Sequence, residues 1–242
     1  MSPRPVTPDK DPARIAGMFD AISPRYGLLN HLLSAGLDYR WRARAIASLA
    51  LTDEDAVLDV CTGTADLAIA ATTGRRGRAA RGVGVDFAGA MLVRGLEKIR
   101  ARGLDRRIAL VRGDATRLPL ADGTMDAAMI AFGIRNVDEP ERAGREIARV
   151  LRSGGRLAIL EFGLPRPRVL RRLYLWYFRR VLPRIGQLVS RHADAYSYLP
   201  ASVGTFPKPD VFVATLERAG FTSVRARRLS FGIVYLYLAT RP

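Results

Sequence analysis

The sequence predicts an α/β fold on a mostly parallel, seven-stranded sheet, and three observations carry that prediction. Short apolar segments alternate with longer helical patterns between residues 56 and 162, as expected of parallel strands covered on both faces. The stretch Ala56–Leu67 reaches an acid, Asp59, then a small-residue turn, Thr62-Gly63-Thr64-Ala65, and the next strand, Gly82–Asp86, ends on a second acid. Finally, Thr222–Leu229 and Gly232–Ala239 succeed one another with no helix between them, so that pair is antiparallel.

The elements follow in order. Residues 1–11 read as a loose tail. Residues 12–51 read as helical, with Ile15, Met18, Phe19 and Ile22 at helical spacing, then Tyr26, Leu29, Leu32 and Leu33, a break at Gly36-Leu37-Asp38, and Trp41, Ala45, Ile46 and Leu49. This stretch precedes the first strand and forms an N-terminal helical cover. Val57–Val60 is the first strand, Asp66–Thr73 a helix, Gly82–Asp86 the second strand and Ala88–Arg102 a helix. Ile108–Arg112 and Asp126–Phe132 are the third and fourth strands, and Arg156–Phe162 the fifth, after a turn at Ser153-Gly154-Gly155. The helix Glu139–Leu151 is read with a capping-box-like start at Asp138, Pro140 and Glu141. Residues 165–200 are an insertion rich in arginine and aromatics, and Val211–Ala219 is a helix ended by Gly220.

At 242 residues, 48% hydrophobic and 26% charged, the chain is an ordinary folded protein of one domain, residues 1–242. Its single cysteine, Cys61, excludes an internal disulfide. With only two histidines a structural zinc site is a poor fit, and no metal is expected. A reducing cytoplasm is the expected location. No signal peptide or spanning helix is read. The net charge is +16, almost all of it arginine, with lysine only at 10, 98 and 208. Such a charge fits a basic surface for an anionic partner or arginines spread over solvated faces.

The turn after strand one discriminates between cofactors. A dinucleotide turn, G-x-G-x-x-G/A, needs its second glycine for the pyrophosphate; here Gly63-Thr64-Ala65-Asp66-Leu67-Ala68 has Ala65 there. The acids Asp59 and Asp66 suit a cation. Local chemistry therefore favours S-adenosylmethionine over a dinucleotide. Asp86 is placed for a ribose hydroxyl. Asp114-Ala115, after strand three, is placed for an adenine, with an acceptor beside a small residue. A parallel sheet closed by an antiparallel pair is also the outline of the class I, Rossmann-like methyltransferase fold.

Further segments carry a resemblance. They are Met18-Phe19-Asp20-Ala21-Ile22-Ser23-Pro24-Arg25-Tyr26, Gly36-Leu37-Asp38 with Trp41-Arg42, Phe132-Gly133-Ile134-Arg135-Asn136-Val137, Leu160-Glu161-Phe162, Leu182-Pro183-Arg184-Ile185-Gly186 and Ala195-Tyr196-Ser197-Tyr198-Leu199. Over nearly its full length the chain resembles the ubiquinone/menaquinone biosynthesis C-methyltransferases. The resemblance implies S-adenosylmethionine-dependent methylation of a ring carbon on a polyprenylated hydroquinone, demethylmenaquinol before the related benzoquinol. By matching position it puts cofactor contacts on Thr64, Asp86, Asp114 and Ala115, next to Gly63 and Asp59. Ala131 stands where the family often has serine, and Ala65 where it has glycine.

A phenol with a pKa near 10 supplies little phenolate at neutral pH, so the protein must align the reactants and assist deprotonation. Arg135, Asn136 and Tyr26 are the candidate catalytic residues that the resemblance implies. Taken alone, Arg135 would read as a surface partner of Glu139. His31 reads as structural, and His192, near Asp194 and Tyr196, as a candidate base. Within the insertion, Arg168–Leu182 reads as an amphipathic helix, with Arg168, Arg171, Arg172 and Arg179 on one face and Leu170, Leu173, Tyr174, Tyr177 and Val181 on the other. Such a helix suits peripheral contact with an anionic membrane. The apolar insertion and the resemblance also fit a homodimer. An RNA methyltransferase is the rival enzyme, but the chain has no Pro-Pro for an amino-methylation motif and no RNA-binding module, so no nucleic acid is expected. A non-catalytic binding protein of the same fold is the other alternative.

Overall fold

The computed structural model describes residues 11–23, 34, 36–74, 78–165, 167–177, 180 and 193–242. The seven strands are β1 (Ala56–Val60), β2 (Arg81–Asp86), β3 (Ile108–Arg112), β4 (Met125–Ala131), β5 (Leu151–Phe162), β6 (Thr222–Leu229) and β7 (Val234–Thr240). The helices are α1 (Pro12–Ile22), α2 (Leu37–Ser48), α3 (Asp66–Thr73), α4 (Gly89–Arg100), α5 (Pro140–Val150), α6 (Arg168–Trp176), α7 (Ala193–Thr205) and α8 (Pro209–Arg218). Asp11 caps α1 by accepting from the Arg14 amide at 2.9 Å, with Pro12 at the first helical position.

The strands form one sheet in the order β3-β2-β1-β4-β5-β7-β6. β1 to β5 pair in parallel, and β7 pairs antiparallel with both β5 and β6. All five β1 residues are buried because helices cover both faces. Alternation sends Val57 to a core shared with Trp41 and Ile46 of α2 and with Leu67 of α3. Its neighbour Leu58 goes to the opposite core, with Ile147 of α5 and Phe212 of α8. This is the seven-stranded α/β architecture expected from the sequence.

Three local readings need correction. Strand β5 begins at Leu151, not Arg156, because Leu151 pairs with Met125 and a register shift then joins Ala127 to Arg156. Ser153-Gly154-Gly155 therefore lies within the strand. The helix α5 has Glu139 as its N-cap and no side-chain cap. Of the residues in the capping-box reading, Glu141 instead accepts from Arg145 at 2.6 Å and Arg218 at 2.9 Å, while Glu139 accepts from Arg142 at 3.1 Å. In α6, Leu173 does not share a buried face with Tyr174. Tyr174 packs with Val203, Phe162, Leu164 and Ile233, while Leu173 is 58% exposed. Adjacent helical residues point about 100° apart, and here Tyr174 takes the inward direction while Leu173 turns outward. Arg168, Arg171 and Arg172 are exposed, as expected, and Arg179 lies outside the described residues.

Candidate active site

Four strand ends meet at the carboxyl edge of the sheet. With β1 between β2 and β4, this edge contains the point where the strand order reverses, the usual ligand crevice of open α/β sheets. A cavity opens to solvent there, lined by residues that include Gly63, Asp86, Phe87, Met91, Phe132 and Asn136. Phe19 of α1 also lines it, so the first helix borders the crevice. The cover is anchored by Asp20, which accepts from the Ala90 amide in the first turn of α4 at 2.8 Å.

Three non-glycine residues near this opening have left-handed backbone: Cys61 (φ 55), Ala65 (φ 61) and Phe132 (φ 60). Such outliers concentrate where a surrounding structure fixes a functional turn. Ala65 is the N-cap of α3 and is completely buried. Its Cβ lies 3.3 Å from where a Cβ on Gly95 of α4 would stand. The methyl group therefore packs beneath the turn against α4, on a helix that leaves room for it.

The turn is held by acids. Asp59 Oδ2 accepts from the Thr62 hydroxyl at 2.6 Å and from the Ala68 amide at 3.0 Å. Burial pushes the Asp59 carboxyl up to about 7, against the opposing effect of those bonds. Asp86 is also raised by burial; one oxygen accepts from the Gly63 amide at 2.8 Å and the other from the Ala88 amide at 2.9 Å. Asp66 is ion-paired with Lys98 at 2.6 Å, and Lys98 also donates to the Thr64 hydroxyl at 2.8 Å. The reading of Asp66 as a counter-charge for a cofactor is thereby corrected: a lysine on α4 already neutralises it.

Gly63, Asp86 and Ala131 line the cavity together. Asp59, near the end of β1, and Thr64, in the turn after it, have side chains engaged within the protein. Asp114 is exposed and accepts from the Thr116 amide at 2.8 Å, with Ala115 buried next to it. Tyr26, His31 and His192 lie outside the described residues.

Arg135 and Asn136 occupy a single 3-10 turn just past β4. Arg135 is buried and pairs with Glu161, not Glu139: its Nη1 donates to Glu161 Oε1 at 3.0 Å and its amide to Oε2 at 3.1 Å. Nη1 also donates to the Phe132 carbonyl, and Nε to the Ser202 hydroxyl at 3.3 Å. The guanidinium stands 5.5 Å from the centre of the Phe162 ring, which stacks on Phe132 at 4.4 Å. Asn136 lines the cavity, and its Oδ1 accepts from the Tyr198 hydroxyl at 3.2 Å. Two α7 residues, Tyr198 and Ser202, thus fix the arginine–asparagine pair from the far side of the chain.

Phe19, Phe87 and Met91 escaped sequence reasoning as pocket residues, because apolar side chains read only as core. The arrangement fits S-adenosylmethionine. It offers two apolar lining side chains, Phe87 and Met91, a buried carboxylate at Asp86 and, against the lining Phe132 ring, the buried Nε of Arg42, which has no hydrogen-bond acceptor among the described residues.

The sequence model of the ubiE/COQ5 methyltransferase family matches residues 7–241. A ubiquinone/menaquinone biosynthesis C-methyltransferase of Syntrophotalea carbinolica is 48% identical over 93% of this chain and 92% of its own. A demethylmenaquinone methyltransferase of Thermus thermophilus is 45% identical over 93% of this chain and all of its own. Among solved structures, an S-adenosylmethionine-dependent methyltransferase of Thermotoga maritima superposes with a TM-score of 0.64 at 20% identity, over 94% of this chain and 100% of that one.

Proposed function

Since the chain belongs to the ubiE/COQ5 methyltransferase family, we propose that it methylates a ring carbon of a polyprenylated hydroquinone, demethylmenaquinol in particular, using S-adenosylmethionine. The observation that supports this reading is the Arg135–Asn136 turn, in which Asn136 lines the cavity and accepts from Tyr198 while its neighbour Arg135 is buried against Glu161 and Ser202.

When bound, S-adenosylmethionine supplies a methyl group on a sulfonium centre. Asp86 accepts from the ribose hydroxyls, using lone pairs that its two backbone contacts leave available. Gly63, Thr64 and Asp59 shape the turn, and Asp114 and Ala115 receive the adenine. Phe19, Phe132 and Met91 keep water from the reacting atoms. The quinol hydroxyl must lose its proton for the ring carbon to become nucleophilic. Arg135 cannot act as the base, but its guanidinium stabilises the resulting oxyanion and holds a water that takes the proton. Asn136 orients the same hydroxyl through its amide nitrogen, since its Oδ1 is turned to Tyr198. Tyr26, outside the described residues, is assigned to the quinol by the family resemblance alone.

The quinol's isoprenoid tail partitions into the bilayer, so the enzyme meets its substrate at a membrane surface. The exposed trio Val169, Leu173 and Trp176 on α6, flanked by Arg168, Arg171 and Arg172, supports α6 as that contact. No helix among the described residues is long and apolar enough to cross a membrane.

The function is tested by methyl transfer from labelled S-adenosylmethionine to demethylmenaquinol, to the matching methoxy-benzoquinol and to total RNA. Label in demethylmenaquinol is expected. Label in RNA alone would replace this reading.

A further inference from the structure

One cation beside the cavity is incompletely paired. Arg42 is the sixth residue of α2, next to Trp41, which anchors the helix through a 2.9 Å bond from its indole to the Ser230 hydroxyl. The Arg42 side chain is only 12% exposed. Its Nε is fully buried and finds no hydrogen-bond acceptor among the described residues. The nearest carboxylate, Asp38 Oδ2, stands 3.7 Å away, beyond hydrogen-bond reach, and the other Asp38 oxygen accepts from Ser34 at 2.7 Å. A buried donor on a charged group without an acceptor is costly unless a ligand supplies one.

The position of the guanidinium narrows the ligand group. It lies 5.9 Å from the centre of the Phe132 ring, a wall of the cavity. Its charge is felt at Asp59, beneath the turn. Arg42 thus serves the β4 side of β1, whereas Asp86 stands on the β2 side. The residues lining the cavity include no lysine or arginine and one carboxylate, Asp86. An anionic group entering that cavity needs a cation from outside the lining, and Arg42 is positioned to provide it.

We infer that Arg42 receives the α-carboxylate of the cofactor's amino-acid end, so that α2 reads that end of S-adenosylmethionine while Asp86 reads the ribose. The inference rests on S-adenosylmethionine being the cofactor. A planar guanidinium matches a carboxylate as a fork, and the two charges are desolvated together.

Calorimetry on the intact protein tests it, comparing S-adenosylmethionine with decarboxylated S-adenosylmethionine, which lacks only the carboxylate. The wild type is expected to prefer the carboxylated form by about 10–100-fold, the range of a charge-assisted hydrogen bond. Arg42→Met should remove that preference by weakening S-adenosylmethionine alone, and Arg42→Lys should restore part of it. Circular dichroism checks that both variants fold; the wild-type comparison tests whether the carboxylate is read at all, and the variants test whether Arg42 reads it. Equal affinity of the wild type for the two ligands, or equal weakening of both by Arg42→Met, would overturn the role of Arg42 and leave the cofactor standing. A wild type that binds the decarboxylated form and not S-adenosylmethionine, or neither, would overturn the cofactor reading and Arg42 with it.

Discussion

Asp59 holds its turn at an energetic cost that depends on pH. Burial raises its carboxyl from 3.8 to about 7, so between those values the folded protein keeps a proton that the unfolded chain has released. Stability is then full below the unfolded value and falls as pH rises through the folded one, by up to about 1.4 kcal/mol per pH unit. Asp59→Asn keeps one oxygen that can accept from both the Ala68 amide and the Thr62 hydroxyl, and it cannot ionise. Urea midpoints measured from pH 4 to 7 should therefore flatten in the variant; an unchanged slope would assign the pH dependence elsewhere. The acid at this position was legible as a strand-end carboxylate. Its task was not, because that depends on burial and on two donors that only the folded turn brings to it. The same holds for Glu161, read only as part of a motif: its bonds to Arg135 join strand β5 to a turn 26 residues earlier.

At the scale of elements, the ends of β1 and β4 meet so closely that one side chain must be absent. A Cβ on Gly133 would stand 2.4 Å from the Cys61 Cβ, and the parallel register of the two strands leaves neither end free to retreat. Gly133→Ala is expected to cost about 1–3 kcal/mol in thermal unfolding, as overpacking does. Cys61→Gly should recover part of that loss in the double variant, since it removes the opposing Cβ and relieves a positive φ. Strictly additive losses would mean that the two residues do not meet. Element order and type were legible here because apolar segments alternate with helical ones over most of the chain. What stayed hidden were contacts set by tertiary packing. Tyr174 turns inward because Val203 and Ile233 are there to meet it, and β5 extends back to Leu151 because Met125 offers a partner.

For the molecule as a whole, charge is distributed unevenly. Residues 162–209 carry eight arginines and a lysine against one acid, Asp194. The exposed helix α6 lies in this segment with its outward apolar trio. Co-sedimentation with vesicles should increase with anionic lipid and weaken with salt, because screening shortens the reach of surface charges. Reversing Arg168, Arg171 and Arg172 to Glu should abolish it while leaving the fold intact. Binding indifferent to both changes would remove α6 as the membrane contact.

The catalytic claim joins these scales in one side chain. Arg135→Ala alone would leave Glu161 fully buried without its cation, a change worth about 3–5 kcal/mol, so Arg135→Ala combined with Glu161→Gln is the cleaner variant. The decisive measurement is methyl transfer to demethylmenaquinol by that double variant, beside calorimetry of S-adenosylmethionine binding. Turnover should fall by about 100-fold or more, as when a group that stabilises developing charge is removed, while cofactor affinity holds. Turnover near that of the wild type would contradict the assignment of Arg135 to the reaction.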